Sequence, residues 1–428
     1  MTAANLTAEA YAQVWERKAT KQHMLSSVWD MLSNRVQSSD VIPSEGQTMM
    51  PTTVVYKATG KMRKGDQRIT ILWTSMPRVN PIAGPNKAEG KEKRISSKSK
   101  RLNYNIQRFP MAAIDESVVG DATEYYNMVG EVADVIADLF VLTTDYDHER
   151  ALCEGADQWL TDTNAWQDSE YGSVLDAPVT VTMHPNAYVT GFAGKVSWFA
   201  AYGSAANAVI TRLTALAATD TFDMADLDTC YLIASRTINP VKSVNGNGKY
   251  KWVLLVSDAV WNDLTASVAT GSFRDLLKYT EKGFEKMYEG NIGVYKDMLV
   301  VASQKSPIFT LNSPDAQGNV VTANTARFLY DKPSGDCRNR AVTTGAGNAD
   351  GTYEITKIVG GGAIGLAEMD DIKFVSKGFD YDFSKGILGK RARGTERMDF
   401  DSDSKTATSA RINESSALFY TSTSAATV

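Results

Sequence analysis

Asp121 to Leu152 reads DATEYYNMVGEVADVIADLFVLTTDYDHERAL, and the spacing of its apolar residues decides how the rest of the chain is arranged. Tyr125, Met128, Val132, Val135, Leu139, Leu142 and Tyr146 recur three and four apart, which on a helix puts them on one stripe. Asp121 and Glu124, just after Gly120, have the spacing of a capping box at the helix start. Thirty-odd residues at ~1.5 Å rise make a rod of roughly 45 Å. From Asp121 to Asp157 there are ten Asp/Glu against one basic residue, Arg150, so an acidic face of net −9 is expected opposite the stripe.

Just upstream the charge reverses. Lys57 to Arg108 holds fourteen Lys/Arg against Asp66, Glu89 and Glu92, a local balance of +11; the chain as a whole is −5, which leaves the remainder at −16. Such asymmetry calls for a partner. The same region has β character, with Val54 and Tyr56, then Arg68-Ile69-Thr70-Ile71-Leu72-Trp73 leading out and Leu102-Asn103-Tyr104-Asn105-Ile106 leading back. Between them lies a tip with Pro77, Pro81, Gly84, Pro85 and Gly90, followed by the basic run Lys91 to Arg101. A two-stranded excursion without its own core is marginal in water, so it is expected to be held by something outside its own chain.

Residues 7 to 38 read as one or two helices, with Trp15 and Trp29 in the apolar set. After the acidic rod, Ala177 to Met183 alternates as a strand, residues 205 to 217 and 224 to 236 read as helices, and Asn245-Gly246-Asn247-Gly248 turns into the buried strand Trp252-Val253-Leu254-Leu255-Val256. A helix through Trp261 and Leu264, a helical run through Phe273 to Leu277, and a strand at Met298 to Val301 complete an α/β unit from about 170 to 350. Ile355 to Phe400 returns to β character, and Asp401 to Val428 reads as a solvated tail or, at Ala417 to Tyr420, an edge strand.

At 428 residues and 43% hydrophobic content the chain has material for two or three units with substantial cores. Cys153, Cys230 and Cys337 are scattered and odd in number, the pattern of free thiols in a reducing compartment. No apolar run of membrane-spanning length and no signal sequence is present, so the protein is expected to be soluble and cytoplasmic when made. The Asn5-Leu6-Thr7 and Asn413-Glu414-Ser415 sequons are then chance matches.

Site motifs are weak. Gly360-x-Gly362-x-x-Gly365 has the letters of a dinucleotide fingerprint but no amphipathic helix after it. Asp399-x-Asp401-x-Asp403 lacks the glycine and glutamate that a calcium loop needs, with Ser404 and Ala410 in their places. Asp145, Asp147 and His148 spread around a helix rather than sharing a metal-binding face. With no catalytic constellation, the chain is not expected to be an enzyme, to bind a cofactor or to hold a metal.

The basic excursion and the acidic rod allow two readings. In one, nucleic acid sits on the basic loop 87–101, although that tip has no aromatic residue for stacking. In the other, the excursion of one copy lies across the rod of the next, a head-to-tail contact that can close into rings. The second uses both segments.

The order of parts resembles the tailed-phage major capsid protein, of the shell fold shared with herpesviruses, and specifically the branch of short-tailed phages with large capsids. The strings that carry the resemblance are Glu89-Gly90-Lys91-Glu92, Trp252 to Val256 followed by Leu264, Tyr288-Glu289-Gly290-Asn291-Ile292-Gly293-Val294-Tyr295, and Gly362-Ala363-Ile364-Gly365-Leu366-Ala367 with Phe379-Asp380-Tyr381. The resemblance implies an α+β capsid-shell fold: an N-terminal arm at 1–50, an extended basic β loop at 51–110, a peripheral domain with its spine helix at 111–168 and 351–400, an axial domain at 169–350 and a C-terminal tail at 401–428. It further implies hexamers and pentamers of one chain forming an icosahedral head around double-stranded DNA, assembled in the bacterial cytoplasm. The partners implied are other copies, portal, scaffold or cement proteins, and packaged DNA contacted on the inner face without sequence specificity, with no membrane. No removed N-terminal propeptide is expected. The contact expected from the charges joins Lys91, Lys93, Arg94, Lys98, Lys100 and Arg101 of one copy to Asp134, Asp138, Asp145 and Asp147 of its neighbour.

Overall fold

The computed structural model describes residues 54–58, 68–74, 97–103, 105–112, 122–155, 184–192, 194–195, 209–217, 220–238, 251–266, 292–303, 306–310, 327–329, 352–379, 384–401 and 411–422, together with Trp29. Among them are four helices, α1 (Ala122–Glu154), α2 (Val209–Thr214), α3 (Met224–Thr237) and α4 (Asp258–Ala266). In chain order the strands are β1 (Val55–Ala58), β2 (Arg68–Thr74), β3 (Ser97–Asn103), β4 (Asn105–Ala112), β5 (Ala187–Val189), β6 (Trp252–Val256), β7 (Ile292–Tyr295), β8 (Met298–Ala302), β9 (Ile308–Thr310), β10 (Arg327–Leu329), β11 (Thr352–Val359), β12 (Ile364–Phe379), β13 (Ser384–Arg397), β14 (Phe400–Asp401), β15 (Arg411–Ile412) and β16 (Ser416–Ser422). The expected Ala177–Met183 strand, the helical run through Phe273, the loop tip and the arm apart from Trp29 lie outside the described residues.

The rod forms as a 33-residue helix. It stops at Gly155, whose φ of 96° is left-handed and whose N–H reaches back to the Ala151 carbonyl at 2.9 Å. Its buried face, however, is only partly the predicted stripe, of which Tyr146 alone is buried among the described residues. Val135 is 48% exposed and Leu139 and Leu142 are half-buried, whereas Ile136, Phe140, Thr144, Asp147, His148 and Ala151 are buried. The face is set partly by polar partners waiting on the sheet, which a stripe of apolar letters does not register.

That sheet has four strands in the order β1-β12-β13-β4, with β12 and β13 a long antiparallel hairpin. α1 lies on it through Ile136, Ala137 and Phe140 against Phe109, Ile372, Phe374 and Ile387. The approach is close enough that a Cβ on Gly389 of β13 would sit 2.5 Å from Ile136 Cγ2 and 2.8 Å from Phe140 Cε2. Glycine at 389 is what lets helix and strand meet.

The second sheet has eight strands. Its path is β10-β9-β11-β6-β8-β7, with β16 on the other side of β11 and β5 beyond it. The runs Trp252–Val256 and Met298–Ala302 are buried throughout and pair in parallel, as apolar strands covered on both faces do. One face is covered by α3 and α4 through Leu227, Ile233, Val260, Trp261 and Leu264. The other joins the four-stranded sheet through Val253, Leu255, Val301, Val359, Ile364 and Leu366, with Trp29 and Leu152 in the same core.

The C-terminal stretch corrects one expectation. Residues 416–422 are neither tail nor edge: every residue of β16 is buried, and the strand pairs antiparallel with β11 and parallel with β5. β11 likewise belongs to the eight-stranded sheet, so that sheet draws on 352–359 and 416–422 as well as on the region before 350.

Candidate assembly surfaces

Lys98, Lys100 and Arg101 lie on β3, which pairs antiparallel with β2 as a two-stranded sheet of its own. The register sets Lys98 opposite Trp73, Lys100 opposite Ile71 and Arg101 opposite Thr70. The ribbon is rooted at its base, where Leu102 is fully buried and would abut a Cβ at Gly365, beside Met398. Lys91, Lys93 and Arg94 lie outside the described residues.

The four acids named from the rod fall in different environments. Asp138 is exposed, and Asp134 and Asp145 are half-buried. Asp147 is withdrawn from the expected outer face: it is buried, accepts a 2.9 Å hydrogen bond from Gln107 Nε2, and lies 3.7 Å from the Arg391 guanidinium of β13. An acid already desolvated against an arginine of its own chain does not meet a neighbour.

The rod's acidity is in fact partly neutralised inside the subunit, by residues the sequence reading missed. Arg391 also donates to Gln107 Oε1 at 2.5 Å and to Thr144 Oγ1 at 2.6 Å. Arg393 donates to Thr144 Oγ1 at 3.0 Å and faces His148 Nε2 at 3.1 Å. His148 Nδ1 sits 2.7 Å from the Thr144 carbonyl, an obligate acceptor, so the hydrogen is on Nδ1 and Nε2 accepts from Arg393. Trp29 stacks on this imidazole with ring centroids 5.4 Å apart. Arg397 caps the helix, donating to the Leu152 and Cys153 carbonyls at 2.8 and 3.0 Å while paired with Asp399 at 2.7 Å. Glu149 pairs with Lys357 of β11, both fully buried, and accepts from Ser303 Oγ at 3.0 Å. α1 is thereby bound to the four-stranded sheet by arginines and to the eight-stranded sheet by a lysine. A signal for this existed in Arg391-x-Arg393-x-x-x-Arg397, whose even spacing puts three cations on one face of a strand.

The remaining polar motifs are structural. Asp399 is committed to Arg397 and Asn413, and Asn413 Oδ1 accepts the Ser415 and Ser416 N–H groups. Gly362, at φ 68°, makes the turn into β12, so the glycine-rich string leads to a strand. Cys153 and Cys230 are free and buried, and burial pushes both thiols well up. Among the described residues no His/Cys/Asp/Glu group could hold a metal ion.

These features define a class: an α+β subunit with a four-stranded and an eight-stranded sheet, a long helix bound to both, and a β ribbon that hydrogen-bonds with neither. The same fold is found in solved phage shells. The capsid of Ralstonia phage GP4 superposes with TM-score 0.56 at 14% identity over 87% of this chain and 88% of that chain. The capsid of cyanophage Pam1 follows at TM-score 0.53 and 11% identity, covering 88% and 90% of the two chains. That of Helicobacter pylori bacteriophage KHP30 gives 0.51 and 12%, over 89% and 93%. Among curated proteins, no sequence matches. This chain belongs to the phage capsid protein family, whose sequence pattern matches residues 11–422. Its role is that of a major capsid protein, building the shell of a phage head in the virion.

Proposed function

We propose that copies of this chain close an icosahedral head as hexamers and pentamers around double-stranded DNA, and that the β2–β3 ribbon of each copy lies across α1 of the next. The observation that carries the reading is that β2 and β3 form a separate two-stranded sheet, rooted by Leu102. Lys98, Lys100 and Arg101 on β3, with Lys91, Lys93 and Arg94 of the tip, would meet Asp134, Asp138 and Asp145; Asp147 drops out because it is spent on Gln107 and Arg391. Single exposed pairs contribute ~0–1 kcal/mol, so the contact depends on several acting together.

In this reading the ribbon is the extended loop of the shell fold and α1 with the four-stranded sheet is the peripheral domain. The eight-stranded sheet, including β11 and β16, is the axial domain, and the segment carrying Trp29 is the arm. Portal, scaffold or cement proteins and packaged DNA are the further partners, and assembly takes place in the host cytoplasm. The test is the triple variant Lys98→Glu, Lys100→Glu, Arg101→Glu. It is expected to yield a folded subunit, by circular dichroism, that forms no closed shells by electron microscopy; shells at normal yield would overturn the contact.

A further inference from the structure

Three buried side-chain oxygens without partners lie together on β11 and β16. Glu354 of β11 is directly opposite Thr421 of β16, and Thr356, two residues along β11 and opposite Phe419, shares their face. It is the face covered by α3 and α4, because Ile358, Ala417 and Phe419 of the same rows pack with Leu227 and Trp261. Glu354 is 2% exposed, and Thr356 and Thr421 are wholly buried. Among the described residues, Glu354 Oε2, Thr356 Oγ1 and Thr421 Oγ1 have no hydrogen-bond partner. Directly opposite residues have Cβ atoms about 5 Å apart, and alternate residues of a strand are about 6.6 Å apart, so the three side chains can converge on one point. No described cation answers the carboxylate. Lys357 turns to the opposite face, into Glu149, while α3 turns in Asp226 and apolar residues, and α4 Val260, Trp261 and Leu264. A carboxylate so buried is strongly disfavoured unless its charge is balanced.

We infer that Glu354, Thr356 and Thr421 hold a hard monovalent cation, sodium or potassium, inside the subunit, the carboxylate balancing its charge and the two hydroxyl oxygens completing the protein's ligands. The class of ion follows from the donors. All three are oxygens, with no nitrogen or sulfur among them, which selects a hard cation. One carboxylate balances one positive charge, whereas calcium ordinarily gathers about six to eight oxygen ligands. Thr190 is not a further ligand, since its hydroxyl is already donated to Asp226 at 2.7 and 2.8 Å. With a single carboxylate the site differs from clusters of three or more His, Cys, Asp or Glu, of which the described residues have none. A bridging water would satisfy the hydrogen bonds and leave the charge unbalanced. The ion ties the C-terminal strand to β11, and the inference does not depend on how copies of the chain meet one another.

The test is thermal melting of the unassembled subunit at constant ionic strength in choline, sodium or potassium chloride, with millimolar calcium chloride in choline as a separate arm. The native chain is expected to melt about 2 °C or more higher in sodium or potassium than in choline, with a saturable response, and to broaden the sodium NMR line. Glu354→Gln is expected to melt alike in every salt and, in choline, at or above the native chain, because no carboxylate is left unbalanced. Thr421→Val keeps the shape and removes one oxygen; it is expected to fold and to need at least tenfold more sodium for the same rise. Equal melting of the native chain in choline, sodium and potassium overturns the inference and leaves an ordered water only. An unchanged sodium response in Glu354→Gln overturns it by placing the ion elsewhere, and a response to calcium alone does so by giving the site to a divalent ion.

Discussion

Lys357 and Glu149 should be the most costly pair to break. Both are fully buried, Lys357 on β11 and Glu149 on α1, with Ser303 and Ser306 as the neighbouring hydroxyls. Lys357→Met keeps the length of the stem but leaves the Glu149 carboxylate fully buried without its cation, beside the Ser303 hydroxyl. Removing one partner of a buried ion pair typically costs about 3–5 kcal/mol, a large share of the 5–15 kcal/mol that holds a typical domain folded. Replacing both partners with apolar residues costs far less, because no charge is stranded. The double variant Lys357→Met, Glu149→Met is therefore expected to be more stable than Lys357→Met alone, with a coupling of about 2 kcal/mol or more. Urea unfolding of the unassembled subunit measures this as a shift of midpoint at constant slope. A loss below about 1 kcal/mol for Lys357→Met, or additive losses in the double variant, would refute the view that this pair joins helix and sheet as a buried ion pair.

Gly389→Ala should destabilise by about 1–3 kcal/mol, because the new methyl would meet Ile136 and Phe140 in a filled core, and Ile136→Ala should recover part of that loss in a thermal melt. Burial, helped by the nearby Arg397 charge, holds the His184 pKa well below its ordinary value of about 6.5, so the unfolded chain takes up the proton first and stability is lost as pH falls below about 6.5. Burial pushes Asp226 up to about 6; here the fold takes up the proton first, and stability is gained as pH falls through about 6. Urea midpoints across that range should therefore fall more steeply with acid for Asp226→Asn than for the native chain and less steeply for His184→Gln; parallel curves for all three would contradict both assignments. Raising salt from 0.1 to 1 M shortens the screening length from about 10 to about 3 Å, so shells should loosen by light scattering while the subunit's melting temperature, resting on buried pairs such as Arg397–Asp399, changes little.

Much of the framework was legible because it rests on local pattern. The rod, read as far as Leu152 and running to Glu154, the ribbon strands and the apolar runs of β6 and β8 each follow from the pattern within one segment. What was not legible depends on pairing between distant segments. Ala417–Tyr420 can be read as a strand from its own letters, but that Ser416–Ser422 lies inside a sheet follows only from β11 and β5 flanking it on both sides. The stripe on α1 departs from the buried face for the same reason: Val135 is apolar but 48% exposed, while Asp147 and His148 are polar and buried against partners on other segments.

The buried charges obey a geometric rule that joins the two patterns. Two residues along a strand advance about 6.6 Å and four residues along a helix about 6 Å, so side chains at every second strand position can keep step with successive helical turns. Arg391 reaches Phe140 and Thr144, Arg393 reaches Thr144 and His148, and Arg397 reaches Leu152 and Cys153, which requires β13 and α1 to run in the same direction. Net charge therefore overstates what the rod presents to a neighbour. Asp147 and Glu149 answer cations of their own chain, whereas Asp138 is exposed on the outer side. A helix so matched to its own sheet can be acidic in composition and still be held by charge, which is why the position of each carboxylate decides its role and their sum does not.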